Sequence, residues 1–461
     1  MNKRPILVLL TGSWISMLGA ALVTLAGFSW LFVLPLNIRG TGVSNPYIGL
    51  LVFIAIPIVF FAGLVLIPIG IALARRKVTA NLDEIENRRV AWRRVGIFFG
   101  VMTVANVVIA SQLSYRAVEH MDTVQFCGQT CHVMKPEFTA HAAVPPHQAV
   151  ACAECHIAPG ATGWFKAKMA GTNQLFAVMF NTFPRPIESA MEDNKLVSSA
   201  ETCEQCHERD KPIAPRLRVI PSYKDDEANT RTTTVLLMRI ATIHAAHLGP
   251  GIRIRYSAAD KKRQTIPAIE YANSQTGVSG TFLASGSTAD SVRSLPTFEM
   301  QCVDCHNRAA HAFELPERAV NQSMASGQIA ASLPFVKKES VALLKSSSAE
   351  QIPAALSAFY LMNYADAAAK QGSAIQAAGQ ALAAIYRRNV FPDLKVTWGT
   401  YANNLGHTDD PGCFRCHDGS HATADKKTIA QDCSLCHQPV AMDESSPVIL
   451  KTLELTPTQN H

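Results

Sequence analysis

Apolar and polar positions are spread very unevenly along this chain. Residues 5–38, 40–74 and 95–115 contain no Asp, Glu, Lys or Arg at all. A bilayer core takes about 20 apolar residues in helical form, so each run predicts a membrane span. The spans fall near 8–34, 49–73 and 95–115. Buried helices of a soluble core are the alternative, but they rarely run so far without one charge. The first run is too long for the apolar part of a secretory signal and lacks a small-residue cleavage site, so it reads as an uncleaved anchor. Beyond residue 115 the pattern changes. Alternation in G-I-R-I-R-Y and T-I-P-A-I-E-Y predicts a few strands between 216 and 300, and the Ala-rich stretch 372–387 predicts a helix.

Charge orients the spans. Lys3 and Arg4 precede the first, Arg39 stands alone between the first two, and Arg75, Arg76, Lys77, Arg88, Arg89, Arg93 and Arg94 crowd the segment before the third. Basic loops stay in the cytoplasm, which predicts a cytoplasmic N-terminus and a cytoplasmic loop at 75–94. Everything after about residue 116 then lies on the opposite side, the periplasm of a bacterium. The first 117 residues hold 11 basic and 3 acidic side chains and the remaining 344 hold 31 and 33. The overall basicity therefore belongs to the membrane quarter and makes no case for a nucleic-acid partner. With 48% hydrophobic and 17% charged residues the chain is not globally disordered.

All twelve cysteines lie in the exported part, in six close pairs: Cys127/Cys131, Cys152/Cys155, Cys203/Cys206, Cys302/Cys305, Cys413/Cys416 and Cys433/Cys436. Each second cysteine is followed by histidine: His132, His156, His207, His306, His417 and His437. Histidine makes up 15 of 461 residues, so chance placement at all six positions is on the order of one in a billion. Two thiols add to the two vinyl groups of a haem and form thioethers, which carries the adjacent histidine beneath the ring as an iron ligand. Zinc knuckles or redox disulfides would use Cys-x-x-Cys too, but neither needs the histidine. Six covalent haems c are expected. The first motif, C-G-Q-T-C-H, has one residue more between its thiols. So many porphyrins would stand in for apolar packing, making order in this half depend on haem.

Low-spin haems take a second axial ligand, usually His or Met. His147, His311, His407 and His421 stand near motifs and are candidates, as is one of His244 and His247 in I-H-A-A-H. His120 and His141 are weaker, and His461 is not expected to bind. Met134, in C-H-x-M of the first motif, offers a thioether there. His311 and His421 follow their motifs so closely that they are expected to reach neighbouring haems.

The membrane anchor followed by F-C-G-Q-T-C-H-V-M-K-P-E, H-Q-A-V-A-C-A-E-C-H-I-A-P-G-A and E-T-C-E-Q-C-H resembles the NapC/NirT family of membrane-anchored cytochromes c. The likeness is specific over about 116–215, and the rest resembles longer multihaem members. Three spans, six motifs and the expanded first motif depart from the short tetrahaem members. The resemblance implies oxidation of menaquinol or ubiquinol at the membrane face, beside a first haem held by Cys127, Cys131, His132 and Met134. It also points to a lysine near the quinone, here Lys166 or Lys168 in G-W-F-K-A-K-M-A-G. With His120 and Asp122 these groups could handle quinol protons. Interfacial lysines reaching for lipid phosphates are the plain alternative.

The chain thus reads as mainly α with much irregular structure. It has a three-helix anchor (1–115), a haem module with haems 1–3 (116–215), a haem-free insert with a few short strands (216–300), a second module with haems 4–6 (301–437) and a loose tail (438–461). The leading function is a multi-pass protein of the bacterial inner membrane that passes electrons from the quinone pool to a periplasmic cytochrome or reductase. An electron-conducting subunit without its own quinone site, or a terminal oxyanion reductase, are the alternatives.

Overall fold

A computed structural model describes residues 6–37, 55–78, 85–130, 132–145, 147–192, 196–208 and 213–454. The chain divides into two compact units, 1–134 and 135–461. The division falls after the first haem motif, not at the end of the last expected span.

The first unit is helical. Among the described residues two helices are long and apolar enough to cross a membrane, over Ile56–Ala74 and Arg88–Gln112. They sit within the Ile56–Val78 and Ile85–Met121 helices. Over the first expected span, 8–34, the described helix is interrupted. It is split into Ile6–Leu10 and Trp14–Asn37, whose apolar stretch Trp14–Ser29 is shorter. Hydroxyls make the break: Thr11 Oγ1 donates to the Leu7 carbonyl at 3.0 Å and Ser13 Oγ accepts from the Ile15 N–H at 3.2 Å. Such side chains offer the backbone an alternative to the helix ladder. The Trp14–Asn37 and Ile56–Val78 helices pack through small residues. A Cβ on Gly19 would stand 2.7 Å from the Gly63 carbonyl oxygen, and one on Gly70 only 2.2 Å from the Ser16 nitrogen. Close backbone approach of this kind is how helices associate in lipid. The basic segment expected as a loop at 75–94 is helical at both ends, with 79–84 outside the described residues.

The second unit holds two antiparallel sheets. Strands β1 (Arg216–Tyr223), β2 (Arg231–Met238) and β7 (His437–Glu444) form one, in the order β1-β2-β7. Strands β3 (Ile252–Ser257), β4 (Ala268–Asn273), β5 (Ser279–Leu283) and β6 (Thr297–Glu299) form the other, in the order β5-β4-β3-β6. The two alternating stretches found in the sequence are β3 and β4. The tail expected to be loose is paired through β7 onto β2 and continues into a short Val448–Thr452 helix with Leu450 buried, because its apolar side chains complete the β1–β2 face.

Residues 316–389 form a helical bundle with its own apolar core, drawn from Val320, Leu333, Leu344, Leu356, Tyr360 and Leu382 among others. This bundle packs on its own side chains, each large one buried contributing about 1.5–3 kcal/mol. The β1–β2 hairpin is pinned to it by Asn229, whose amide donates to the Leu333 carbonyl at 2.8 Å and accepts from the Lys337 N–H at 2.9 Å.

Candidate haem site

Every described motif puts its two thiols on one tight turn. Cys152–His156 and Cys302–Cys305 are single turns of α-helix, while the turns at Cys203–Gln205, Gly412–Arg415 and Cys433–Leu435 are 3-10. One turn brings residues three apart to the same side, which a pair of thioether bonds requires. The His207, His306 and His417 N–H groups each close back onto the carbonyl of the first cysteine, at 2.9, 2.8 and 3.0 Å. In the first motif the extra residue is taken up by a wider, π-helical turn over Phe126–Thr130. Cys131 and the His132 side chain lie outside the described residues; Met134 is half-buried on the following 3-10 turn.

The histidines are brought together in pairs. Ring centroids are 6.2 Å apart for His156 and His311, 6.1 Å for His147 and His207, and 6.2 Å for His244 and His306. They are 5.8 Å apart for His247 and His417 and 6.1 Å for His407 and His437. An imidazole nitrogen binds a transition metal at about 2 Å, so two rings on opposite sides of one ion have centroids about 6 Å apart. Each pair joins one motif histidine to one from outside the motifs, and the outside partner always comes from a different stretch of chain. His244 and His247 both take part, each with a different motif, although the I-H-A-A-H spacing pointed to one of them only.

Hydrogen bonds select the free nitrogen. Nδ1 of His147, His311, His247 and His417 faces the carbonyls of Ala309, Glu137, Ile243 and Ala430 at 3.0, 3.0, 2.7 and 2.7 Å. A carbonyl on Nδ1 fixes the proton there and leaves Nε2 as the ligand atom. Burial holds His156, His247 and His306 below the ordinary imidazole range and takes His311 down to about 4. These rings are neutral, the form that binds metal.

His421 differs. It is 2% exposed, and both ring nitrogens are engaged, Nδ1 with Asp418 at 3.1 Å and Nε2 with the Ile266 carbonyl at 2.7 Å. Its surroundings make it a structural crosslink in place of the distal ligand expected there. His141 is buried with its ring 6.0 Å from His311, a neighbour that the sequence did not single out.

The attachment turns follow one another in space. Cys155 lies within electrostatic reach of Cys203 and Cys206, and Cys203 of Cys302. Cys305 and Cys416 lie within the same reach of one another, as do Cys413 and Cys436. The second to sixth motifs are therefore neighbours in chain order.

Of the residues expected near a quinol, His120 ends the Ile85–Met121 helix with its ring 5.6 Å from Phe126, and Asp122 follows directly. Lys166 and Lys168 lie in the second unit on the Gly160–Met179 helix, with Lys168 Nζ 5.7 Å from the Trp164 ring centroid. That helix exposes Trp164, Phe165, Met169, Phe176 and Met179.

Comparison with known proteins agrees with these features. No solved structure matches the chain. Residues 89–216 match the model of the NapC/NirT cytochrome c family, N-terminal region. The chain is also 36% identical over 430 residues to the cytochrome c-type protein ImcH of Geobacter sulfurreducens, covering 87% of this chain and 82% of that protein. Cysteine turns, paired imidazoles and these relatives lead to one conclusion: the chain belongs to the NapC/NirT family of c-type cytochromes, membrane-associated electron carriers with covalently bound haem c.

Proposed function

We propose that this protein oxidises menaquinol or ubiquinol at the outer face of the bacterial cytoplasmic membrane and relays the electrons through six haems to a periplasmic cytochrome or reductase. The paired histidines carry this reading: five motif histidines each face a second imidazole at axial distance. Haem c supplies one-electron chemistry at its iron. The chain supplies the rest. Cys152/Cys155, Cys203/Cys206, Cys302/Cys305, Cys413/Cys416 and Cys433/Cys436 hold the porphyrins, and Cys127 with Cys131 holds the first. With haem bound, two imidazoles on each of five irons would leave no position for another ligand, which suits electron passage better than turnover of a small molecule at iron. His132 and Met134 are the proposed ligands of the first haem.

Three spans anchor the protein in this reading. The close seam of Ser16 and Gly19 against Gly63 and Gly70 supports a first helix that shares the bilayer with the second. The charge pattern supports export of the haem-bearing part. Exposed aromatic side chains on the Lys166/Lys168 helix suit a lipid boundary, where His120, Asp122, Lys166 and Lys168 would accept and steer quinol protons.

The test uses the purified full-length protein and a short-chain menaquinol analogue. Reduction of the haems by the analogue is expected, slowed in Met134→Leu and in the Lys166→Met/Lys168→Met pair. Wild-type rates in all variants, with dithionite reducing every haem normally, would place quinol oxidation elsewhere.

A further inference from the structure

The fourth and fifth attachment turns are joined by the residues inside their motifs. Arg415 precedes Cys416 in C-F-R-C-H, and Asp304 precedes Cys305 in C-V-D-C-H. Arg415 Nη2 donates to the main-chain carbonyl of Asp304 at 2.6 Å. Its Nη1 donates to the Arg263 carbonyl and its Nε to the Gly412 carbonyl, both at 2.9 Å. One planar guanidinium thus ties together three backbone segments, a fork that an ammonium cannot reproduce.

All three partners are neutral carbonyls. The Asp304 carboxylate is engaged elsewhere, by the Tyr256 hydroxyl, by the Gln301 N–H at 2.7 Å and by Arg263 Nη1 at 3.4 Å. Among the described residues Arg415 forms no ion pair. Its charge still reaches both turns. Nη2 on the Asp304 carbonyl and Nε on the Gly412 carbonyl set the guanidinium against the backbone of both. A fixed positive charge beside a haem favours the reduced iron, which carries one positive charge fewer.

We propose that Arg415 is a positioning residue that clamps the fourth attachment turn against the fifth and, through its unpaired charge, raises the reduction potentials of the two haems held there. This rests on the reading that both turns carry bis-histidine haems. Intact-mass and low-spin spectra of the wild type test that reading on its own, so its failure is separable from failure of the clamp.

The experiment is a spectropotentiometric titration of the full-length holoprotein with Arg415→Gln and Arg415→Lys, read alongside electron paramagnetic resonance. The two haems are assigned as those whose low-spin signals are lost in His244→Ala and His247→Ala. With Gln, both potentials are expected to fall while the others stay. With Lys, the potentials are expected to stay near wild type, but the g-values of the same two haems shift because the fork is gone. A Gln variant with full haem content and all potentials unchanged, or with a fall spread evenly over every haem, overturns the proposal. If Gln blocks haem incorporation, the Lys variant decides, and unaltered g-values at both haems overturn it.

Discussion

His244 and His247 stand one turn apart on the Ile240–Leu248 helix yet lie against different motif histidines, His244 against His306 and His247 against His417. Residues three apart share a helix face, so a single short helix from the strand-rich insert serves two attachment turns at once. The insert therefore carries no haem motif of its own but sets an imidazole against each of two motif histidines.

Replacing either histidine should free one iron and no more. His244→Ala and His247→Ala are each expected to convert one low-spin haem to high spin, at different positions in the spectrum, with the double variant showing two. Magnetic circular dichroism of the oxidised protein checks this. One shared signal in both variants would contradict separate pairing.

His421→Ala should behave in the opposite way. Its two ring nitrogens hold Asp418 and the Ile266 carbonyl in a buried site, so losing them costs about 1–3 kcal/mol of stability. The low-spin spectrum should be unchanged. Denaturant unfolding measures the first effect, and a new high-spin haem would return His421 to the ligand set.

Gly412 immediately precedes the fifth motif with a φ of +49°, and a Cβ there would sit 1.8 Å from the Gly406 carbonyl oxygen. Left-handed backbone costs an ordinary residue about 1–2 kcal/mol before any clash is counted. Gly412→Ala is expected to distort the attachment turn, giving less holoprotein and a population one haem short by intact mass.

The helical bundle should be weakened independently of the haems. Leu382 is fully buried among apolar side chains, so Leu382→Ala is expected to lose about 2–5 kcal/mol. Haem content and potentials should match the wild type. A loss of haem on this substitution would mean that the bundle and the attachment turns fold as one unit.

Much of this architecture was legible in local patterns. The second and third uncharged runs marked the two helices long and apolar enough to cross a membrane, because lipid excludes charge, and alternation marked β3 and β4 because a half-buried strand repeats every two residues. The cysteine–histidine words marked the attachment turns because thioether chemistry needs its three side chains within five or six residues of one another. These requirements are met within one segment, and a segment can be read without knowing its neighbours.

Distal ligands obey no such rule. His147 precedes the second motif but lies against His207 of the third; His407 precedes the fifth and lies against His437 of the sixth; His311 follows the fourth and lies against His156 of the second. Proximity in sequence named these residues as candidates, and it named His421 equally well. What separates His147 and His311 from His421 is which nitrogen the surrounding carbonyls leave free, and that depends on segments as far apart as His421 and Ile266. The tail is a similar case, since reading it as loose took no account of the β2 edge that receives it. Sequence alone marked the cysteine–histidine words that would attach haem, because covalent attachment is local; only the tertiary structure decided which imidazoles face each other, because that pairing joins chain segments that meet only on folding.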